Sequence, residues 1–226
     1  MPSAPAGALP AQPDAVLFDL DGTIIDSRVP FVDSMNHALA ANGQPERQPE
    51  QLWHYLGPPT RLALVELVGG DDRLIDDILA SYREHYARTS AETTLVYDGI
   101  PELLRSLQGS VRLAVATSKI RKSAVMLLEH LGLADLFDVI SGPAETAVAE
   151  PKAVTVAQTL AELGEGGPVK SAVMVGDRFY DVEGAREHGV PTIGVLWGAG
   201  SEQELRDAGA AALVSAPDEI PPLLGM

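Results

Sequence analysis

Residues 15–23 read Ala-Val-Leu-Phe-Asp-Leu-Asp-Gly-Thr, an apolar run followed by two aspartates and a glycine. A short apolar run of this kind is typical of a parallel strand that is buried on both faces. Ligands of open α/β sheets bind beyond the carboxyl ends of the strands, so we expect Asp19 and Asp21 in the binding crevice. Extended backbone points side chains that are two residues apart in the same direction. The stretch therefore predicts paired carboxylates at the end of the first strand, although it also fits an Asp-rich turn with Gly22 at its bend.

Similar apolar runs recur along the chain and alternate with segments of helical periodicity. The strand-like runs are 111–116, 137–140, 172–175, 192–196 and, more weakly, 211–214. The helical segments are 101–108, 119–131, 152–163, 182–188 and 202–208. Alternation of strand and helix is typical of a parallel sheet with helices on both faces. We therefore predict an α/β fold with a Rossmann-like parallel sheet as its core.

One region interrupts this alternation. Residues 27–94 carry helical periodicity at 31–41, 51–56, 61–68 and 73–90 and contain no convincing strand. An insert of about 65 residues is too long for a connecting loop. We predict an α/β core formed by residues 14–26 and 95–226, and an inserted all-helical domain, the cap, formed by residues 27–94. Residues 1–13 are uncharged and rich in Ala and Pro, and we predict a flexible arm there.

Composition restricts the classes of function. The 226 residues contain 16 Lys and Arg against 32 Asp and Glu, a net charge of −16, and no cysteine. The missing thiols exclude a disulfide scaffold, a thiolate metal site and a cysteine nucleophile. An acidic surface repels phosphate backbones and anionic membranes, so we expect neither a nucleic-acid polymer nor a membrane as partner. Without a secretory signal or a membrane-spanning run, the cytoplasm is the expected compartment.

Two further strand ends carry polar side chains. Thr117 and Ser118 follow the run 111–116, and Asp177 follows the run 172–175, with Asp181 four residues later. Each of these could cap a helix N-terminus, as hydroxyl and carboxylate side chains commonly do. Hydroxyls and exposed backbone N–H groups at a helix start also bind phosphate. Three strand ends that each carry acids or hydroxyls favour a shared site over three separate caps.

These segments, with Lys152 between them, resemble the four motifs of the haloacid dehalogenase-like superfamily. In chain order the motifs are Asp19–Thr23, Thr117-Ser118, Lys152 and Gly176–Asp181. The resemblance covers nearly the whole chain after the arm, and residues 176–205 resemble a branch described as phosphoglycolate phosphatase or 5′-nucleotidase. One departure is that many relatives place the lysine just before a proline, whereas Pro151 precedes Lys152 here. Lys170 is the alternative lysine, at the start of the next strand.

The resemblance implies a Mg²⁺-dependent phosphatase that works through an aspartyl-phosphate. Asp19 is the implied nucleophile, and Asp21 is the implied acid and base for the leaving group and the attacking water. Thr117 and Lys152 complete the implied catalytic set. The implied phosphate-binding residues are Gly22, Thr23, Thr117, Ser118 and Lys152. The implied Mg²⁺ ligands are Asp19, Asp21 through its backbone carbonyl, Asp177 and Asp181, the last either as a direct ligand or in support of one.

The cap is expected to select the substrate, a small phosphorylated metabolite. Arg61 follows Gly57-Pro58-Pro59 near the start of a cap helix, where it either reaches the leaving group or is solvated. Phosphoglycolate, a 5′-nucleotide and a phosphotyrosine-like ester all remain compatible with the sequence. Monomer and homodimer are equally open.

Two other functions remain as alternatives. A phosphomutase is the nearest, although Thr23 resembles the phosphatases at a position where mutase relatives tend to differ. Dehalogenase relatives lack the second acid, whereas Asp21 is present. A non-catalytic binding or regulatory domain would be expected to lose at least one motif, and all four are filled.

Overall fold

The computed structural model describes residues 7–146 and 150–226. In this part of the chain the strands are β1 (Ala15–Phe18), β2 (Ile25–Asp26), β3 (Leu95–Val96), β4 (Arg112–Ala116), β5 (Val139–Ser141), β6 (Ala172–Gly176), β7 (Thr192–Val195) and β8 (Ala212–Val214). The helices are α1 (Arg28–Ala41), α2 (Pro49–Leu52), α3 (Thr60–Val68), α4 (Asp72–Thr93), α5 (Ile100–Leu107), α6 (Arg121–His130), α7 (Lys152–Glu165), α8 (Phe179–Arg186), α9 (Glu202–Ala208) and α10 (Ile220–Leu223). Short 3₁₀ turns lie at Trp53–Tyr55, Ala134–Leu136 and Pro217–Glu219.

A parallel sheet of six strands in the order β5-β4-β1-β6-β7-β8 forms the core. The central strand β1 pairs with both β4 and β6, and Phe18 lies level with Val115 and Val175. This register brings the carboxyl ends of the three strands to one edge. The predicted α/β fold is confirmed, and the residues that follow these strands meet at that edge.

Alternate residues of β1 pack into opposite layers, as expected for a strand with two covered faces. Val16 and Phe18 join the apolar cluster formed with α5 and α6, whereas Ala15 and Leu17 join the cluster formed with α7 and α8. All four side chains are fully buried. The continuous apolar run in the sequence therefore reflects burial on both faces of the sheet.

Helices α6 and α8 begin at different residues from those that periodicity predicted. Helix α6 begins at Arg121 and not at Lys119, because the backbone of Ile120 between them is not helical, with a ψ of 126°. The Lys119 N–H donates to Thr117 Oγ1 in the turn before the helix. Helix α8 begins three residues earlier than predicted. Its first turn is stabilised by Asp181, whose carboxylate accepts the Arg178 N–H at 3.0 Å.

The helices α1–α4 follow β2 and end just before β3, and they have an apolar cluster of their own. Helices α1 and α4 pack along each other, with Phe31, Met35, Ile78 and Tyr82 among the buried residues. The chain enters and leaves this unit through β2 and β3, which pair as a short antiparallel ribbon. The sequence did not predict this ribbon, because two-residue strands are too short to show periodicity.

The predicted arm, residues 1–13, is only partly described. Residues 1–6 lie outside the described residues, and residues 7–13 form neither helix nor strand. Leu9 nevertheless packs against the core, and the Gln12 N–H donates to the Leu224 carbonyl at 2.8 Å. The second half of the arm is therefore attached to the core. Among the described residues, no helix combines the length and the apolarity needed to cross a bilayer.

Candidate active site

A buried lysine lies between two buried aspartates at the carboxyl edge of the sheet. Lys152, the first residue of α7, places its Nζ 2.6 Å from Asp19 Oδ1 and 2.7 Å from Asp181 Oδ1. Burial alone would lower the pKa of the Lys152 ammonium, but the carboxylates of Asp181 and Asp19 raise that pKa above its ordinary value. The lysine is therefore held charged. Lys170, the alternative lysine, lies away from this edge, where its N–H donates to Asp14.

Three carboxylates are concentrated around this lysine. Asp19, Asp177 and Asp181 each offer an oxygen within 4.8 Å of the others, and all three side chains are buried. Burial raises the pKa of Asp19 to about 7, a rise that Lys152 opposes and that Asp181 increases. Burial, together with the charges of Asp181 and Asp19, also holds the pKa of Asp177 well above its ordinary value. One ammonium does not neutralise three buried carboxylates, and a set of oxygen donors with unbalanced negative charge fits a divalent metal ion.

Asp177 is held in place by residues from two loops. The Ala199 N–H donates to its Oδ2 at 2.7 Å, and the Thr23 hydroxyl approaches its Oδ1 at 3.5 Å. Gly22 lies directly against the carboxylate, so a Cβ there would overlap it, and its φ of +85° also favours glycine. Asp177 does not cap a helix, since its oxygens are bonded to other groups.

The predicted phosphate contacts of Gly22 and Thr23 are not supported by their hydrogen bonds. The Gly22 N–H donates to the Ile25 carbonyl and the Thr23 N–H to the Leu20 carbonyl, so both are used within the turn. The Thr23 side chain is fully buried beside Asp177. These two residues therefore shape the turn and orient Asp177.

Asp21 lies beside this cluster and has different partners. The Ser27 hydroxyl donates to Asp21 Oδ1, and Lys119 Nζ lies 3.2 Å from the same oxygen. The Asp21 side chain borders the space between core and cap. Its carboxylate is therefore not part of the acidic cluster, and ligation of a metal by its backbone carbonyl stays a prediction.

The loop after β4 is fixed by Thr117. The Thr117 hydroxyl oxygen accepts the Lys119 N–H at 3.1 Å, which bends the backbone before α6 begins. Gly142 packs against this bend so closely that a Cβ there would come within 2.5 Å of the Lys119 carbonyl oxygen. Thr117 is buried, whereas Ser118 borders the space between core and cap. Thr117 and Ser118 thus form a turn and not the predicted alternative of a helix cap.

A cavity of about 620 Å³ separates the cap from the sheet edge. The core contributes Asp21, Ser118 and Lys119, and the cap contributes Phe31, Tyr55 and Tyr86, among others. Arg61 also lines this cavity, but its guanidinium pairs with Asp76 and, at 2.8 Å, with Asp72 of α4. The Arg61 guanidinium therefore already has partners within the cap. Its contact with the substrate stays a prediction.

Arg178 connects the acidic cluster to the cap. It lies between Asp177 and Phe179, and its Nη1 donates to the carbonyls of Leu56 at 3.0 Å and His54 at 3.3 Å. Its Nε donates to Glu204 at 2.8 Å. One side chain therefore joins the loop that carries Asp177 to a turn of the cap.

Comparison with known proteins agrees with this geometry. The family model described as haloacid dehalogenase-like hydrolase matches residues 16–195. The chain belongs to this hydrolase family. The match includes all four predicted motifs, so the resemblance read from the sequence is confirmed.

Several relatives of this chain are known. The 5′-nucleotidase of Pseudomonas aeruginosa is 36% identical over 84% of this chain and 86% of its own. The phosphoglycolate phosphatase of Agrobacterium fabrum is 35% identical over 84% and 82%. Tyrosine-protein kinase PtkA of Mycobacterium tuberculosis is 38% identical over 83% of this chain, which spans 64% of the kinase. The solved structure of PtkA has a TM-score of 0.82 at 34% identity and covers 95% of this chain and 99% of that one.

Three residues at the candidate site had no role in the sequence analysis. They are Ser27 and Lys119, which hold Asp21, and Arg178, which reaches the cap. Lys119 had a usable signal, since it directly follows the Thr-Ser pair at a buried strand end. Ser27 had none, because nothing in the sequence indicates that the chain turns back to Asp21 there.

Proposed function

We propose that this hydrolase is a Mg²⁺-dependent phosphatase that hydrolyses small-molecule phosphomonoesters through an aspartyl-phosphate on Asp19. The observation that carries the proposal is the buried pairing of Asp19 with Lys152 beside Asp177 and Asp181. Relatives named 5′-nucleotidase and phosphoglycolate phosphatase support the same class of reaction.

In the first step, the Asp19 carboxylate attacks the phosphorus atom of the ester. The bond between phosphorus and the leaving oxygen breaks as the bond to the Asp19 oxygen forms, and the departing alkoxide takes a proton from Asp21. Lys152 offsets the negative charge of the phosphoryl oxygens, which is the main electrostatic demand of phosphoryl transfer. Ser118 borders the cavity and offers a further hydrogen-bond donor on that side.

In the second step, water attacks the phosphorus atom of the aspartyl-phosphate. Asp21 now accepts a proton from this water, the Asp19–phosphorus bond breaks, and inorganic phosphate leaves with the Asp19 carboxylate restored. The acid of one step is thus the base of the next. This exchange requires a carboxyl group that borders the cavity but is separate from the acidic cluster, as Asp21 is.

Asp19, Asp177 and Asp181 are the side chains that would hold Mg²⁺, together with the backbone carbonyl of Asp21. When bound, the ion offsets the repulsion between these carboxylates and the phosphate dianion and orients the phosphoryl group. All the proposed donors are hard oxygen ligands, and the chain has no cysteine to favour a softer metal.

The substrate we propose is a small phosphorylated metabolite, glycolate-like or nucleotide-like in its leaving group, in the cytoplasm. The cavity volume of about 620 Å³ accommodates either. The filled set of four motifs argues against the alternative of a non-catalytic binding domain. A phosphomutase remains the alternative that product analysis has to separate from a phosphatase.

A screen of metabolite phosphates with Mg²⁺ tests this proposal, with phosphate release as the readout and Asp19→Asn as the inactive control. Release of inorganic phosphate with recovery of the free alcohol supports a phosphatase. Recovery of an isomeric phosphate ester identifies a mutase. Because one relative is named a tyrosine-protein kinase, a parallel incubation with ATP should check for phosphotyrosine. The proposal would be overturned if none of the esters released phosphate in an Asp19-dependent way.

A further inference from the structure

Lys119 joins the cap to Asp21 through a single ammonium group. Its Nζ lies 3.2 Å from Asp21 Oδ1 and 3.0 Å from the hydroxyl oxygen of Tyr86, a residue of the cap helix α4. The same nitrogen lies 4.4 Å from the centre of the Tyr86 ring, within the range of a cation–π contact. Core carboxylate, core lysine and cap tyrosine therefore form a continuous chain.

We propose that Lys119 is a positioning residue that sets the orientation of Asp21, and that Tyr86 makes this orientation depend on the seated cap. The inference rests on the proposed phosphatase function, because it assigns Lys119 a task in the acid and base chemistry of Asp21.

The contacts on Asp21 explain how this positioning works. The Ser27 hydrogen bond and the Lys119 ion pair both fall on Oδ1. With one oxygen held from two sides, the rotation of the carboxylate is restricted, and within residues 7–146 and 150–226 Oδ2 is the oxygen left to exchange a proton with the leaving group. Because proton transfer needs heavy atoms at hydrogen-bond distance, a carboxylate that is free to rotate spends less time in the productive geometry.

The lysine itself is fixed at both ends. Its N–H is bonded to Thr117 Oγ1, and its carbonyl lies against Gly142, so the backbone has little freedom. At the other end, Tyr86 supplies both a hydroxyl and a ring face to the ammonium, and the Tyr86 side chain is itself buried. Movement of the cap would remove Tyr86 and leave Asp21 as the remaining partner of the ammonium among the described residues.

Lys122, in the first turn of α6 and three residues after Lys119, provides a matched control. It borders the same cavity, but its ammonium pairs at 3.2 Å with Glu145, and both side chains are mostly exposed. Lys122→Met therefore removes a positive charge from the border of the cavity without removing a contact to Asp21. Lys119→Met removes both a positive charge and the contact to Asp21.

The test compares kcat/KM for phenyl phosphate and p-nitrophenyl phosphate, whose leaving groups are similar in size but differ in their need for a proton. We expect Lys119→Met to lose at least about tenfold more on phenyl phosphate than on the nitrophenyl ester, a fraction of the total effect of a general acid. Lys119→Arg should recover most of the difference. Tyr86→Phe, which keeps the ring and removes the hydroxyl that accepts from the ammonium, should lose in the same direction by about fivefold, equivalent to about 1 kcal/mol for one hydrogen bond. Lys122→Met should change both esters equally.

Equal losses of Lys119→Met on the two esters, with circular dichroism matching the wild type, would overturn the proposal and make Lys119 a substrate-binding or structural residue. If Lys119→Met does not fold, Tyr86→Phe decides. An unchanged ratio of kcat/KM between phenyl phosphate and p-nitrophenyl phosphate in Tyr86→Phe would overturn the proposed dependence on the cap. Failure of the proposed function is a separate result, because the wild type would then hydrolyse neither ester in an Asp19-dependent way.

Discussion

Lys152 and Asp19 are 133 residues apart in the chain, and their side chains meet as an ion pair of 2.6 Å in the interior of the protein. The pair joins the end of the central strand β1 to the start of helix α7. A buried charge that loses its partner is costly, so the two residues stabilise the site as well as serving the proposed chemistry.

Lys152→Met should reduce turnover at least about a hundredfold, because the phosphoryl oxygens lose their nearest cation, an effect typical of one lost electrostatic contact in an active site. Lys170→Met is the matched control, since Lys170 lies outside the site, and it should keep wild-type kcat. Steady-state kinetics on any ester identified by the screen provide the measurement. Equal activity of the two variants would remove Lys152 from the mechanism.

Asp21→Asn should trap the phosphoenzyme when the substrate is p-nitrophenyl phosphate. That leaving group needs little protonation, so Asp19 can still be phosphorylated, whereas the amide cannot accept a proton from water in the second step. Intact-protein mass spectrometry should detect one phosphate adduct, mapped to Asp19 by peptide analysis. Measurable nitrophenol release without any adduct would contradict the two roles assigned to Asp21.

Without a bound metal ion, repulsion among the buried carboxylates of the acidic cluster should lower the stability of the folded protein. Folding raises the pKa of Asp19 from its ordinary value to about 7, so the folded metal-free protein binds protons that the unfolded chain has lost, and its stability falls as the pH rises across that interval. The pKa of Asp177 is raised in the same way, by burial and by the charges of Asp181 and Asp19. At neutral pH we therefore expect Asp177→Asn, which removes one of these carboxylates, to raise the melting temperature of the metal-free protein by about 2–4 °C, equivalent to about 1 kcal/mol.

Mg²⁺ should stabilise the wild type in the same experiment far more than Asp177→Asn, because the neutral carboxamide of the variant is a weaker ligand than the carboxylate. EDTA should abolish turnover, and Ca²⁺ should inhibit, since its larger coordination number favours bidentate ligation by the nucleophile. Differential scanning fluorimetry with and without each ion provides the readout. A Mg²⁺-dependent shift that survives undiminished in Asp177→Asn would place the ion elsewhere.

Gly22→Ala should weaken metal binding by more than its backbone strain explains. Gly109→Ala is the control, because Gly109 has a similar φ of +80° against +85° but no atom near the position of a new Cβ. Both substitutions should cost about 1 kcal/mol for the left-handed backbone. Only Gly22→Ala should also shift the Mg²⁺ titration, since its methyl group displaces the Asp177 carboxylate. Identical titrations in the two variants would show that Gly22 serves the turn alone.

Arg61→Ala should lower kcat/KM for the physiological ester about tenfold, which corresponds to about 1.4 kcal/mol of transition-state contact. The loss on p-nitrophenyl phosphate should be much smaller. The pairs of Arg61 with Asp72 and Asp76 involve mostly exposed carboxylates, so the melting temperature should change little. A lower melting temperature with equal losses on both substrates would instead make Arg61 a structural residue of the cap.

The sequence predicted the sheet and the acidic cluster well, for a physical reason. Strands buried on both faces must be continuously apolar, and the chain must become polar where they end, so Asp19, Thr117 and Asp177 identify the edge directly. Lys152 was predicted only through its family motif, because no local pattern places a lysine of one helix beside an aspartate 133 residues away.

The contacts between core and cap could not be predicted in this way. Tyr86 lies in a segment of helical periodicity, and only the packing of α4 over the sheet edge brings its hydroxyl to Lys119. Arg178 similarly donates to backbone carbonyls of Leu56 and His54, which carry no signal of residue type at all. Contacts of this kind depend on how the core and the cap are oriented relative to each other. The hydrophobic pattern of neither unit encodes that orientation.

The ribbon formed by β2 and β3 has a consequence for how such an enzyme can diversify. Because Ile25 pairs with Val96 and Asp26 with Leu95, the intervening helices begin and end at adjacent points of the core. A segment attached in this way can lengthen, shorten or be exchanged with little loop-closure cost to the sheet. For the proposed phosphatase, evolution can therefore alter the choice of alcohol in one part of the gene while the residues proposed to act on phosphorus, encoded on either side of it, stay unchanged.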